Sequence, residues 1–414
     1  MIYKKDAESN YLLGRVKKNY SNSSVVILGQ NGEGKSRLLV ELIGEASYFN
    51  YANVIAVSTS PFDKFPIRKK FKDITYNYIG VKGGGTGNSI LSLISSASLG
   101  LLSPDKHNDR NIERILSFLG ASSEIEYVFK LSQKLIDFYN HAFDPLEEIT
   151  ARLFLGLGEK TIDISYDDLE AIKHTSDFFS FASDANNNFK VRLKIGDEAY
   201  IKSKKVHFTN VNAALLILLK FDLIKLIDFR IEKISYGWMS LRLASSGEQC
   251  ILMSMLGIAT HICNNSLVLI DEPEISLHPE WQEKYISLLM RIFERYNSCL
   301  FIIATHSPQI VSKLDAYRSY IYTIKNDELV SASEYVKRSS DFQLANLFLA
   351  PGYKNEYLTR ELITFLTSPI EYTRSKGCSE IIKIVSLRDN VEQADPVFKL
   401  IDLARKVLAE LEIK

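Results

Sequence analysis

The sequence predicts an α/β fold, a mostly parallel sheet flanked by helices. Three short apolar runs carry that expectation: Val25–Leu28 (VVIL), Leu267–Ile270 (LVLI) and Leu300–Thr305 (LFIIAT). Each is almost continuously apolar, as strands covered on both faces are. Helical spacing of apolar residues separates them, and strands alternating with helices argue for a parallel sheet.

Each element follows from its own pattern. Val25–Leu28 is rich in β-branched residues and runs into glycines, the mark of a buried strand entering a turn. Ser36–Glu45 then places leucines at helical spacing, and Asn53–Ser58 (NVIAVS) reads as a second strand that ends at Ser60-Pro61. Gly83–Gly87 (GGGTG) marks a loop. From Leu101 to Lys205 the pattern reads as mainly helical, over Asn111–Leu119, Glu124–Tyr139 and Tyr166–Ala182, broken by the loop at Asp184–Asn188. A helix over Val211–Lys225 and a strand over Ile227–Ile234 follow. Next come a helix after Gly247, the strand at Leu267, a helix near Trp281–Tyr296 and the strand at Leu300. Beyond about Asn326 the chain reads as helical. The expected segments are therefore 1–100, a helical insertion at 101–205, a second sheet segment at 206–326 and a helical C-terminal region at 327–414.

Composition narrows the functional classes. Lys and Arg number 50, as do Asp and Glu, so no net charge draws the chain to nucleic acid or to an anionic membrane, although local basic patches leave nucleic acid open as a partner. Arg68–Lys72 (RKKFK) and Lys202–Lys205 (KSKK) are such clusters. Cys250, Cys263, Cys299 and Cys378 form no CxxC pair and read as reduced thiols. The N-terminus shows no apolar signal core, and no apolar run approaches membrane-spanning length, so a cytoplasmic location without membrane is expected.

The chemistry concentrates in four segments. Gly29-Gln30-Asn31-Gly32-Glu33-Gly34-Lys35-Ser36 fits G-x-x-x-x-G-K-[ST] between a strand and a helix. Its glycines let backbone amides turn around phosphate oxygens, Lys35 would reach the β- and γ-phosphates, and the Ser36 hydroxyl would ligate Mg²⁺; Arg37 follows in the first helical turn. Asp271 and Glu272 end the Leu267 strand, and next to a P-loop the first suits the metal side and the second the attacking water. His306 ends the Leu300 strand, at the edge where parallel sheets bind ligands. Leu243–Gln249 (LASSGEQ) places Ser245, Ser246, Gly247, Glu248 and Gln249 at a helix start. Either serine would cap that helix, and its amides form an anion site.

In this order the segments resemble those of ABC-type ATPases. GQNGEGKS is similar to their Walker A motif, LASSGEQ to the signature, LVLIDEPE to Walker B with its catalytic glutamate, Glu274–Pro279 (EISLHP) to the D-loop and ATHSP to the histidine switch. The wording is closest to the SMC/RecF/OLD-like group. The resemblance covers about half the chain and implies an ABC-type P-loop head with ATP and Mg²⁺ as cofactors. It also implies that Ser246 and Gly247 read the γ-phosphate held by a second copy, so that a homodimer or higher oligomer sandwiches ATP between its heads.

Two departures stand out. No Gln lies between Gln30 and Gln133, so the Q-loop glutamine is missing and Asp63 is a candidate substitute; Tyr3, Tyr11 and Tyr20 are candidates for stacking on adenine. The segment after His306 lacks the acidic spacing of a TOPRIM nuclease, and the seven histidines form no HNH-like cluster. The chain thus resembles stand-alone ATPase subunits of bacterial antiphage defence, of the PtuA type in Septu and some retrons. That implies a sensor or regulatory ATPase with a separate effector, such as an HNH nuclease. The alternative is a DNA-repair or recombination ATPase like RecF or SMC, binding duplex DNA; a transporter subunit fits less well.

Overall fold

A computed structural model describes residues 12–16, 20–30, 32–60, 62–67, 70–80, 82, 109–133, 135–136, 183–195 and 211–412. Asn31, Tyr3, Tyr11, Arg68, Lys69, Gly83–Gly87, Tyr166–Ala182 and Lys202–Lys205 lie outside the described residues. The chain forms two compact units, residues 1–76 with 263–414, and residues 77–262. A division therefore falls between the LASSGEQ helix and the Asp271 strand, which the sequence alone places in one segment.

In chain order the elements are β1 (Ser23–Leu28), α1 (Lys35–Glu45), β2 (Asn53–Ser58), β3 (Thr75–Gly80), α2 (Asp109–Phe118), β4 (Ala121–Leu131), β5 (Asn188–Lys194), α3 (Val211–Lys220), β6 (Ile224–Lys233) and β7 (Gly237–Ser240). They continue with α4 (Ser246–His261), β8 (Ser266–Asp271), α5 (Pro279–Ile292), β9 (Leu300–Ala304), α6 (Pro308–Ser312), β10 (Ser319–Thr323) and β11 (Glu328–Ser331). The C-terminal helices are α7 (Ser340–Asn346), α8 (Glu356–Thr367), α9 (Pro369–Lys376), α10 (Cys378–Ser386) and α11 (Pro396–Glu412).

A seven-stranded sheet runs in the order β11-β10-β1-β9-β8-β2-β3. The pairs β1/β10, β1/β9, β8/β9 and β2/β8 are parallel, whereas β10/β11 is antiparallel. Every residue of β1, β2, β8 and β9 is buried, which explains the apolar runs at their centres. Their register aligns the strand ends: Ser58 pairs with Asp271, Asp271 with Ala304 and Ile27 with Ala304. The carboxyl ends of four strands therefore stand in one row.

The C-terminal helices pack around their own apolar cluster, with Leu358, Leu362, Phe365, Ile381 and Ile401 fully buried. Buried Asn355 caps α8 by accepting the Leu358 N–H at 2.9 Å. The helical C-terminal region expected from sequence is present.

Residues 121–131 and 188–194 correct the expectation of a helical insertion. They are strands of an antiparallel four-stranded sheet, β5-β4-β6-β7. Tyr127, Phe129, Phe189 and Phe229 fill its apolar face, with ring centroids 5.3–5.7 Å apart in successive pairs. The alternation is hidden in the sequence because Glu126, on the opposite face, is also buried, held by Arg192 at 2.9 Å and Arg230 at 3.3 Å. The α2 helix matches its expectation, whereas α3 stops early because the chain turns left-handed at Asp222, φ 55°.

Helix α4 touches β3 closely enough to need a glycine. A Cβ on Gly257 would lie 2.6 Å from Ile79 Cγ2, while one on Gly44 in α1 would meet nothing within 4 Å. Gly44→Ala should gain about 0.5–1 kcal/mol from helix propensity and reduced chain entropy. Gly257→Ala should lose about 1–2 kcal/mol, because overpacking outweighs the same propensity gain. Denaturant unfolding of both variants checks the opposed signs.

Candidate nucleotide-binding site

The segment after β1 forms a phosphate cradle. Gly32 (φ 89°) and Gly34 (φ 103°) hold left-handed backbone that a side chain would strain, and α1 begins at Lys35. Lys35 is buried and its Nζ donates to the carbonyls of Gly29 at 3.0 Å and Gln30 at 3.3 Å. The Gln30 N–H donates to Glu33 Oε2 at 2.6 Å. Ser36, in the first turn of α1, hydrogen-bonds to Asp271, while Arg37 is exposed.

Asp271 ends β8 and is 3% exposed, and its Oδ1 has no hydrogen-bond partner. Burial raises its pKa from the ordinary 3.8 to about 6 against the Ser36 hydrogen bond, with Glu272 and Asp63 adding to the rise. Asp63 is itself buried and accepts the Phe65 N–H at 2.9 Å. The candidate substitute for the Q-loop glutamine thus acts electrostatically on Asp271.

Glu272 takes a left-handed conformation, φ 46° and ψ 59°, a strain of about 1–2 kcal/mol for a residue with a Cβ. Its N–H donates to the Ala304 carbonyl at 2.9 Å, and its Oε1 lies 3.2 Å from His306 Nε2. His306 Nε2 also meets Lys35 Nζ. An ammonium has only donors, so in this contact Nε2 is the acceptor. Burial and the Lys35 charge lower the His306 pKa, favouring the neutral ring. Burial also lowers the Lys35 pKa, opposed by Glu272, Asp271, Glu274 and Glu33.

Two further supports have no role named from sequence. Glu274 Oε1 accepts the His306 N–H at 2.5 Å, fixing the histidine from the D-loop-like segment. Gln282 accepts from Ser307 Oγ at 2.6 Å and donates to the Leu277 carbonyl at 2.9 Å. The last acid of DEPE is a visible signal for Glu274; nothing in sequence points to Gln282. A cavity of 330 Å³ adjoins the cradle, lined on one side by Gly29, Gln30, Glu33 and His306 and on the other by C-terminal residues including Leu347 and Phe348.

The LASSGEQ turn lies in the other unit. Ser245 is the cap of α4: its Oγ accepts the Glu248 N–H at 3.3 Å, and its own N–H donates to Glu248 Oε2 at 3.0 Å, a reciprocal capping box. Gln249 Nε2 donates to the Leu241 and Ala244 carbonyls at 2.9 and 3.0 Å. Glu248 and Gln249 therefore hold the turn, whereas Ser246 is exposed and Gly247 half-exposed at the helix start.

The donor set fits Mg²⁺. An orphaned buried carboxylate oxygen and a hydroxyl are hard ligands, and Mg²⁺ commonly takes one or two protein oxygens with phosphates and water. Among the described residues no group of three or more His, Cys, Asp or Glu side chains could hold a metal alone, so phosphate oxygens would complete the shell.

The Asp271 shift has a signed consequence. Between pH 3.8 and about 6 the folded chain keeps a proton that the unfolded chain has released, so this group lowers stability as pH rises through that window. The full penalty, up to about 3 kcal/mol, is present above it. Asp271→Asn should therefore melt several degrees higher than the metal-free parent at pH 8, and equally at pH 4. Thermal scans at both pH values check this.

Comparison with known proteins adds an independent finding. Residues 112–312, short of half the chain, match the family described as "AAA domain, putative AbiEii toxin, Type IV TA system". The match takes in the LASSGEQ turn, Asp271, Glu272 and His306, and begins downstream of the cradle. The retron Ec83 probable ATPase of Escherichia coli is 28% identical over 251 residues, 56% of this chain and 44% of that protein. Protein ea59 of Escherichia phage lambda is 23% identical over 313 residues, 69% of this chain and 46% of that protein. The chain thus spans less than half the length of these relatives. No helix among the described residues is long and apolar enough to cross a membrane. The sheet-edge geometry is consistent with a P-loop ATPase, and residues 112–312 are similar to an AAA domain.

Proposed function

We propose that the chain hydrolyses Mg²⁺-ATP in an ABC-type site shared by two copies, and that it serves as the sensor or regulatory subunit of a bacterial antiphage defence complex with a separate effector, a nuclease in the resemblance. The observation that carries the catalytic part is the convergence of Lys35, Ser36, Asp271, Glu272 and His306 on one sheet edge. Similarity to an ATPase of a retron supports the defence context.

Each group has a task under this reading. Lys35 and the amides of Gly32–Ser36 hold the β- and γ-phosphates. Ser36 and Asp271 would hold Mg²⁺, which supplies positive charge to a site otherwise crowded with carboxylates. Glu272 orients a water and takes its proton. His306, neutral and fixed at its backbone N–H by Glu274, would donate to the γ-phosphate from Nε2 in the other tautomer, once Lys35 turns from the ring to the phosphates. Ser246 and Gly247 of the second copy close the site. The cavity shared by the cradle and residues near Phe348 favours the C-terminal helices as the place where an effector senses nucleotide.

Lys35→Ala should abolish nucleotide binding in an equilibrium titration. Glu272→Gln should bind ATP but hydrolyse it at least about 10²-fold more slowly, and accumulate as an ATP-bound assembly. Hydrolysis by Glu272→Gln at the parental rate would remove Glu272 as the base. Co-purification with a neighbouring gene product tests the effector; ATP-dependent, steeply salt-sensitive binding of duplex DNA by the chain alone would favour the repair reading instead.

A further inference from the structure

Lys233, the last residue of β6, is only 7% exposed although it carries an ammonium. Its Nζ donates to the Leu119 carbonyl at 2.5 Å and to Glu248 Oε1 at 2.5 Å. The other oxygen of that carboxylate, Oε2, accepts the Ser245 N–H and faces the Ser245 hydroxyl, both at 3.0 Å. An unbroken polar chain therefore runs from the residue after α2, through a buried cation, to the cap of α4.

A buried ion pair is a poor device for stability alone, because desolvation offsets much of the attraction and apolar side chains of equal volume often serve as well. What such a pair does supply is a fixed direction. Removing the ammonium leaves Glu248 Oε1 without this partner, and a carboxylate seeking water draws Oε2 away from Ser245. The capping box then opens, and the first amides of α4 lose their aim.

We infer that Lys233 is a positioning residue for ATP hydrolysis: through Glu248 it holds the Ser245–Gly247 turn in the geometry that meets a γ-phosphate on a second copy. This rests on the shared-site reading above. Burial pushes the Glu248 carboxyl pKa up, but hydrogen bonds from Lys233 and Ser245 outweigh it and hold it below its ordinary value, so the strut stays ionised at neutral pH.

The test uses the full chain with Lys233→Met, Lys233→Arg and Glu248→Gln, each also on the Glu272→Gln background. Three quantities are measured: the Kd for a fluorescent ATP analogue with Mg²⁺, kcat, and ATP-driven self-association by sedimentation velocity. Lys233→Met should leave the Kd within about twofold, yet lower kcat and weaken association about tenfold, the scale of a lost helix cap. Lys233→Arg should recover most of both. A merely structural role would lower the melting temperature without splitting kcat from Kd. If Lys233→Met does not fold, Glu248→Gln carries the same test, since it keeps an acceptor for Ser245 but loses the ion pair. Parental kcat and association in the folded variants would overturn the inference while leaving the shared site intact. Failure of the Glu272→Gln chain itself to assemble with ATP would remove the shared site, and this inference with it.

Discussion

Asp271 is sealed at the end of a buried strand with one oxygen unpartnered, and a buried carboxylate in that position calls for a cation. Burial holds its proton until about pH 6, and the nearby ammonium, Lys35, faces three further acids, Glu33, Glu272 and Glu274. A triphosphate adds still more negative charge. Under the proposed function the cradle would accept ATP together with a divalent ion, with the Ser36 hydroxyl beside Asp271 as the matching second oxygen.

The fold exists at this point to set the row of strand ends. Parallel pairing in register brings Gly29, Ser58, Asp271 and the residues after Ala304 to one edge from segments up to nearly three hundred residues apart in sequence. Left-handed backbone at Glu272 turns its carboxylate toward His306, and Glu274 anchors His306 in turn. The left-handed backbone at Glu272 and the unpartnered oxygen of Asp271 both cost stability, a pattern that clusters at functional sites.

Much of this was legible in the sequence because strands buried on both faces leave unbroken apolar runs, and the P-loop, DEPE and ATHSP segments sit directly at their ends. Of the four-stranded sheet of residues 77–262 only β6 was legible, as the strand expected at Ile227–Ile234. In β4, Glu126 is buried through its pairing with Arg192 and Arg230, contacts with strands 66 and 104 residues away, so the two-residue alternation vanished. The choice between Ser245 and Ser246 as cap also needed coordinates, since it turns on which hydroxyl meets the Glu248 N–H. The Lys233 strut was invisible for a similar reason: a lysine ending a strand looks like an ordinary exposed charge until its burial is seen.

The central claim is that a complete site takes its cradle from one copy and its lid from another, and subunit mixing tests it most directly. Lys35→Ala disables the cradle and Ser246→Arg disables the lid, so each pure protein should be inactive. Mixed in equal amounts and allowed to exchange, they should regain about a quarter of the parental ATPase rate, because half the dimers are mixed and each mixed dimer has one intact site of two. If Ser246→Arg alone retains activity, or the mixture stays as inactive as its components despite demonstrated exchange, the site is not shared and the account is wrong.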